Sequence, residues 1–164
     1  MSRRFISAFL AAALTLAASP IMAQGANVSF GGLKADTGLP VEVTAENLSV
    51  NQADGTATFS GDVLVKQGEM RLQANEIRVE YGDTSGEINR LHASGDVLLV
   101  NATDAAEAAS AIYTIASGEV VMSGNVLMTQ GQATIKGQTL VINLKTGTGR
   151  MEGGVTTTFM PGGN

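Results

Sequence analysis

After Gly25 apolar and polar residues alternate at every second position, and the 3.6-residue spacing of a helix is almost absent. Met70, Leu72 and Ala74 make one such run, Ile77, Val79 and Tyr81 the next, and the chain is rich throughout in Val, Thr, Ile and Leu. Twenty glycines and only three prolines punctuate these runs. The pattern predicts an all-β chain of many strands separated by turns. One stretch, "TDAAEAASA" (residues 103–111), favours a helical turn by local propensity alone.

The parity of the apolar positions carries more information than their alternation. Along Met70, Leu72 and Ala74 they are even, and from Ile77 onward they are odd. Ile135 and Gly137 followed by Leu140, Ile142 and Leu144, and Val41, Val43 and Ala45 followed by Leu48 and Val50, change parity in the same way. Side chains alternate strictly across a strand, so one apolar face survives a parity change only if a residue is inserted or the strand bends. Each strand is therefore expected to turn a corner, and stacked cornered strands to make a rolled sheet with one apolar interior. A small residue before each break, Ala74, Ala108 or Gly137, lets backbones come close there.

The corners repeat. The motif S-G-[DN]-V-L places Gly61, Gly95 and Gly124 in register, with a weaker copy at Gly153, at spacings of 34, 29 and 29 residues. A period in this range marks stacked supersecondary units. Under this register "TDAAEAASA" fills the same slot as the strand "EMRLQANEI", so it is expected to be a strand despite its alanines. Asp54-Gly55, Gln67-Gly68 and Gln130-Gly131 suit tight reversals, which makes the chain an antiparallel meander. "GDTSGEINRLH" (residues 82–92) reads as a longer surface connection containing a loop histidine.

The N-terminus changes the bounds of the domain. Arg3 and Arg4, an apolar run and "SPIMA" follow the order of a secretory signal peptide, expected to be cleaved after Ala23; an uncleaved anchor is the alternative. Residues 24–164 would then form a single domain with a charge of −7, from 8 basic and 15 acidic residues. Such a chain has no electrostatic reason to bind nucleic acid or an anionic surface. There is no cysteine, hence no disulfide, thiolate metal site or thiol nucleophile.

Candidate chemistry is sparse. His92 is the single histidine, no G-x-S-x-G is present, and Asp62, Asp96 and Asn125 beside their glycines are explained by turn chemistry without invoking calcium. No cofactor is implied and no catalytic residue is assigned. What stands out is the interior: 44% of residues are hydrophobic but only 4% aromatic, with no tryptophan. An aliphatic face of this kind suits either an ordinary packed core or a slot for acyl chains, each buried CH2 being worth about 0.8 kcal/mol.

The run "PVEVTAENLSVNQADGTATFSGDVLVKQGEMRLQANEIRVEY" (residues 40–81) resembles the N-terminal part of the periplasmic lipopolysaccharide-transport proteins of the OstA-like (LptA) family. "SGEVVMSGNVLMTQGQATIKGQTLVINL" and "GVTTTFMP" are similar to later strands of that family. The resemblance implies a twisted, open antiparallel β-jellyroll in the periplasm that binds the lipid A acyl chains of lipopolysaccharide. It further implies head-to-tail assembly with itself, and contact with an inner-membrane LptC-like and an outer-membrane LptD-like protein. The positions in phase with the apolar interior are Phe59, Val63, Val65, Leu72, Ile77, Val79, Val97, Leu99, Val126, Met128, Ile135, Leu140 and Ile142, the expected lipid contacts. Leu64, Leu98 and Leu127 fall on the opposite face. "NVSF" and "VTTTFMP" would supply outermost strands for assembly, through Val28, Phe30, Thr156, Thr157 and Phe159. Two other readings stay open: a structural β-repeat protein with a dry core, and a small hydrolase or isomerase built around His92 or a corner carboxylate, Glu46 or Glu76. A membrane-anchored LptC-like relative is a close variant of the transport reading.

Overall fold

A computed structural model describes residues 26–160 apart from Phe30, Thr84 and Ser85. The expected signal peptide and Phe30 lie outside the described residues. Eleven strands follow one another: β1 (Ala26–Ser29), β2 (Glu42–Thr44), β3 (Asn47–Asn51), β4 (Thr56–Gln67), β5 (Met70–Tyr81), β6 (Ile88–Asn101), β7 (Asp104–Thr114), β8 (Glu119–Gln130), β9 (Ala133–Asn143), β10 (Thr148–Glu152) and β11 (Thr156–Phe159). A single 3-10 turn, Gly31–Leu33, follows β1.

All strands belong to one antiparallel sheet in the order β1-β10-β9-β8-β7-β6-β5-β4-β2, with β11 beside β9 and β3 beside β4. Sequential strands are spatial neighbours from β4 to β10, as a meander requires. The alanine-rich stretch 103–111 lies in β7, because residues 104–114 pair with strands on both sides. Ladder bonds and burial outweigh a helix preference of a few tenths of a kcal/mol per residue.

The corners are where the parity change placed them. Register shifts occur between Ser60 and Val63, Gln73 and Glu76, Ser94 and Val97, Glu107 and Ser110, and Ser123 and Val126. In β4, β6 and β8 two residues, Gly61-Asp62, Gly95-Asp96 and Gly124-Asn125, oppose a single residue of the neighbouring strand, the signature of a β-bulge. Both members of each pair have positive φ: 83° and 42°, 76° and 47°, 90° and 48°. That conformation selects Gly first and Asp or Asn second, which is the physical content of the repeated G-[DN].

Each corner glycine faces one residue on the adjoining strand. A Cβ added at Gly61 would meet Glu46, at Gly95 Asn75, at Gly124 Ala109 and at Gly153 Gln138, all within 3 Å. The bulges thus stack from strand to strand and fold the sheet along one line into two halves. Asn75 donates to Asp96 Oδ2 at 3.2 Å across this line.

One expectation needs correction. Residues 88–92 are not part of a surface connection: β6 begins at Ile88, so the connection is only residues 82–87 and His92 is a strand residue. Arg78↔His92 and Glu80↔Arg90 pairing extends the sheet there, and residues that can satisfy a ladder do so in preference to solvent. The two proposed assembly strands, β1 and β11, lie at the same end of the sheet; the opposite end is formed by β2 and β3.

Candidate functional site

The interior is built from cross-strand rows that run from edge to edge. In the half that contains β2 and β11 the row is Val43, Val65, Leu72, Leu99, Ala106, Met128, Ile135 and Thr157, each paired with the next. In the other half Leu48, Phe59, Ile77, Ala93, Ala111, Met122, Leu140 and Met151 form one row. Small residues in the central strands alternate with long ones, which lets side chains from the two halves interleave.

Twelve of the thirteen expected contact positions, Val63, Val65, Leu72, Ile77, Val79, Val97, Leu99, Val126, Met128, Ile135, Leu140 and Ile142, lie on these inner faces with no more than 4% of their surface exposed. Phe59 is half-buried beside β3. The inner face also carries Met70, Leu91, Val120, Met122, Leu144 and Met151. Met70 and Leu144 sit two residues from a named position and Met122 four, and Leu91 and Val120 keep the parity of Val97 and Val126 six residues on; Met151, nine residues from Ile142, has no such signal.

At the β3 end the inner rows run out into solvent: Leu48 is 58% and Val50 61% exposed although both continue the apolar phase. At the other end Phe159 is 74% exposed. Val28 lies in β1 opposite Gly149, and Thr156, Thr157 and Phe159 pair with Lys136, Ile135 and Ala133. Among the described residues β2, β3 and β11 each pair on one side only, so both ends present unpaired backbone groups.

Polar groups gather where the two halves come closest to the open side. The Tyr113 hydroxyl, wholly buried, donates to Gln67 Oε1 at 2.7 Å and so joins β7 in one half to β4 in the other. Gln67 Nε2 donates to the carbonyls of Thr37 and Leu39 at 3.0 and 2.8 Å. Asn101 Nδ2 donates to the Lys34 carbonyl at 2.7 Å, and Gln130 Nε2 to Asp104 Oδ2 at 3.0 Å. Sequence reasoning passed over these residues because they are polar, although Gln67 shares the parity of Val63 and Val65.

Burial pushes the Tyr113 hydroxyl up from 10.0 to about 12. The folded protein then holds this proton above the pH at which the unfolded chain releases it. Stability is fully present below pH 10 and falls as pH rises from 10 to about 12, by about 1.4 kcal/mol per pH unit. Urea midpoints from pH 9 to 11 are expected to decline more steeply for the wild type than for Tyr113→Phe; parallel declines would mean that the hydroxyl ionises freely.

His92 faces the outside of the sheet, with Nε2 2.9 Å from Glu80 Oε1, beside Arg78 at 3.2 Å and Arg90 at 3.9 Å from the same carboxylate. Asp62, Asp96 and Asn125 occupy the bulges. Among the described residues no group of three or more His, Asp or Glu side chains is placed to hold a metal.

An all-β chain folded along a line of bulges, with one apolar interior between two free sheet edges, defines an open antiparallel β-jellyroll. The chain belongs to the LptA/(LptD N-terminal domain) LPS transport protein family, which matches residues 42–148, more than half of the sequence. That is a transport family rather than an enzyme family.

Its relatives span a range of lengths. An uncharacterised protein of Rhizobium meliloti (strain 1021) is 29% identical over 158 residues, covering 90% of this chain and 85% of that one. The LPS-assembly protein LptD of Actinobacillus pleuropneumoniae serotype 5b (strain L20) is 48% identical over 44 residues, which are 27% of this chain but only 6% of LptD. Among solved structures, LptH of Pseudomonas aeruginosa, an LptA-homologous periplasmic component of the lipopolysaccharide transport device, superposes with a TM-score of 0.69. The match covers 77% of this chain and 99% of LptH at 16% identity, a likeness of fold.

Proposed function

We propose that this chain is a periplasmic carrier that holds the acyl chains of lipopolysaccharide between its two half-sheets and bridges the inner and outer membranes by end-to-end strand pairing. The observation that carries the reading is the apolar row that runs unbroken from Val43 at one edge to Ile135 beside the other. A single copy has a finite row, but copies joined edge to edge extend it without limit. The junction would join the β2/β3 end of one copy to the β11/β1 end of the next, since pairing of unlike edges propagates as an open filament.

The acidic surface fits this division of labour. A carrier that grips the tails and leaves the phosphates to solvent needs no basic groove, and about 0.8 kcal/mol per buried CH2 supplies ample affinity from chains of ordinary length. The corresponding partners are lipopolysaccharide, further copies of the chain, an inner-membrane LptC-like protein and an outer-membrane LptD-like protein.

Site-specific photocrosslinking in cells making lipopolysaccharide tests both parts. Probes at Val65 and Ile142 are expected to give lipid adducts, a probe at outward Arg78 none, and a probe at Phe159 adducts to β2 of a second copy. Because the buried hydrophobic side chains between the half-sheets are at most 5% exposed, a structural repeat with a dry core is the second reading. Absence of lipid adducts at both Val65 and Ile142 in folded, exported protein would favour it.

A further inference from the structure

Residues 32–41 join two strands at opposite ends of the sheet, β1 and β2. From β1 to β2 there are eight inter-strand steps, about 38 Å at the usual spacing. The segment carries the 3-10 turn at Gly31–Leu33 and a second turn closed by the Leu39 N–H on the Asp36 carbonyl at 3.4 Å, and it is its contacts that hold it along the sheet.

Its contacts place that course on the open side, opposite the line of bulges. Leu33 is completely buried. The Ala35 N–H donates to the Leu144 carbonyl at 2.9 Å, which ties the segment to the end of one half-sheet. Asn101 and Gln67 tie it to the other half through the carbonyls of Lys34, Thr37 and Leu39. Gly32 is pressed against Asp104, with 2.5 Å between the position of an added Cβ and Asp104 Cγ.

The bonds from both halves make the segment a strap across the mouth of the interior. The amides of Gln67 and Asn101 are satisfied by strap carbonyls and lose those acceptors when the strap lifts, unless water or a ligand oxygen replaces them. Gln67 is at once the acceptor for Tyr113 and the donor to the strap. Release of the strap therefore takes away both acceptors of the Gln67 amide nitrogen and leaves the Tyr113–Gln67 bond between the two halves without that support.

We propose that residues 32–41 are a gate: acyl chains reach the interior sideways, through the long open side, when this strap lifts from Gln67, Asn101 and Leu144. The gate rests on the lipid-carrier reading above. In the lipid-free protein the strap holds the half-sheets together, and Leu33 occupies part of the space that an acyl chain would take.

Gly32→Cys combined with Asp104→Cys tests it. Gly32 has no positive φ, and its added Cβ lies within about 4 Å of Asp104 Cβ, the range a disulfide requires. The chain has no other cysteine, so a disulfide in protein that runs as a monomer without reductant is the intended one. Oxidised protein is expected to take up at least about tenfold less purified rough lipopolysaccharide than the same protein after reduction. Equal uptake by both forms, with interior crosslinks, would overturn the gate and leave the carrier reading intact, with lipid entering from the sheet ends. No uptake by the reduced variant or the wild type would remove the carrier reading and the gate together.

Should the double variant fail to fold or to oxidise, amide exchange in the wild type decides. Lipopolysaccharide is expected to speed exchange of the Ala35 amide about tenfold while β5 and β6 stay protected. Unchanged or slower exchange at Ala35 in lipid-loaded protein would overturn the proposal.

Discussion

Leu140→Ala is expected to lower the unfolding free energy by about 2–5 kcal/mol, a substantial part of the 5–15 kcal/mol that holds a domain of this size together. Leu140 is wholly buried in its row, flanked by Met122 and Met151, both also wholly buried. Neighbouring strands are pinned by their own ladders, so they cannot collapse into the space, and the cavity term adds to the lost transfer energy. The comparison is Leu64→Ala, on the outer face and half-buried, expected to cost about 1 kcal/mol or less. Urea unfolding of both variants measures the difference. A cost at Leu140 no greater than at Leu64 would mean that the half-sheets already stand apart in lipid-free solution.

Gly124→Val is the second large effect, expected to destabilise by several kcal/mol. A β-branched residue at φ 90° costs about 1–3 kcal/mol in backbone strain. The added Cβ, 2.7 Å from that of Ala109, adds overpacking of about 1–3 kcal/mol. Gly131→Val, at φ 55° with nothing within 4 Å, isolates the backbone term and is expected to cost markedly less. Equal losses at the two sites would show that the bulges do not stack closely and that turn geometry alone requires their glycines. A larger loss at Gly124 ties the repeat to the fold line itself.

The outward leucines acquire a partial account from the pairings. Leu64, Gln73, Leu98, Glu107, Leu127 and Lys136 form one outer row in which apolar and polar side chains alternate. Each leucine is set by the pairing beside polar residues with aliphatic stems, a setting that suits its partial burial.

How much of this was legible follows from the range of each interaction. The parity change across Asn75 and Glu76, and the recurrence of Gly61, Gly95 and Gly124, determined the bent strands, the meander and the inner face, because alternation and positive φ are properties of a few consecutive residues. The repeat likewise assigned residues 103–111 to a strand against their helix propensity. His92 was misplaced because strand and loop differ there only in whether Arg78 and Glu80 stand across from it.

The identity of the two sheet ends, the Tyr113–Gln67 bond across 46 residues and the strap over the mouth were decided by tertiary structure alone. A chain terminus does not announce which edge it will join, and a polar residue on an apolar face reads as an interruption until its distant partner is known. The sequence by itself determined that there is an interior and which side chains line it; only the closing of the two halves decided what ties them and what covers the opening, since both depend on contacts between residues far apart in the chain.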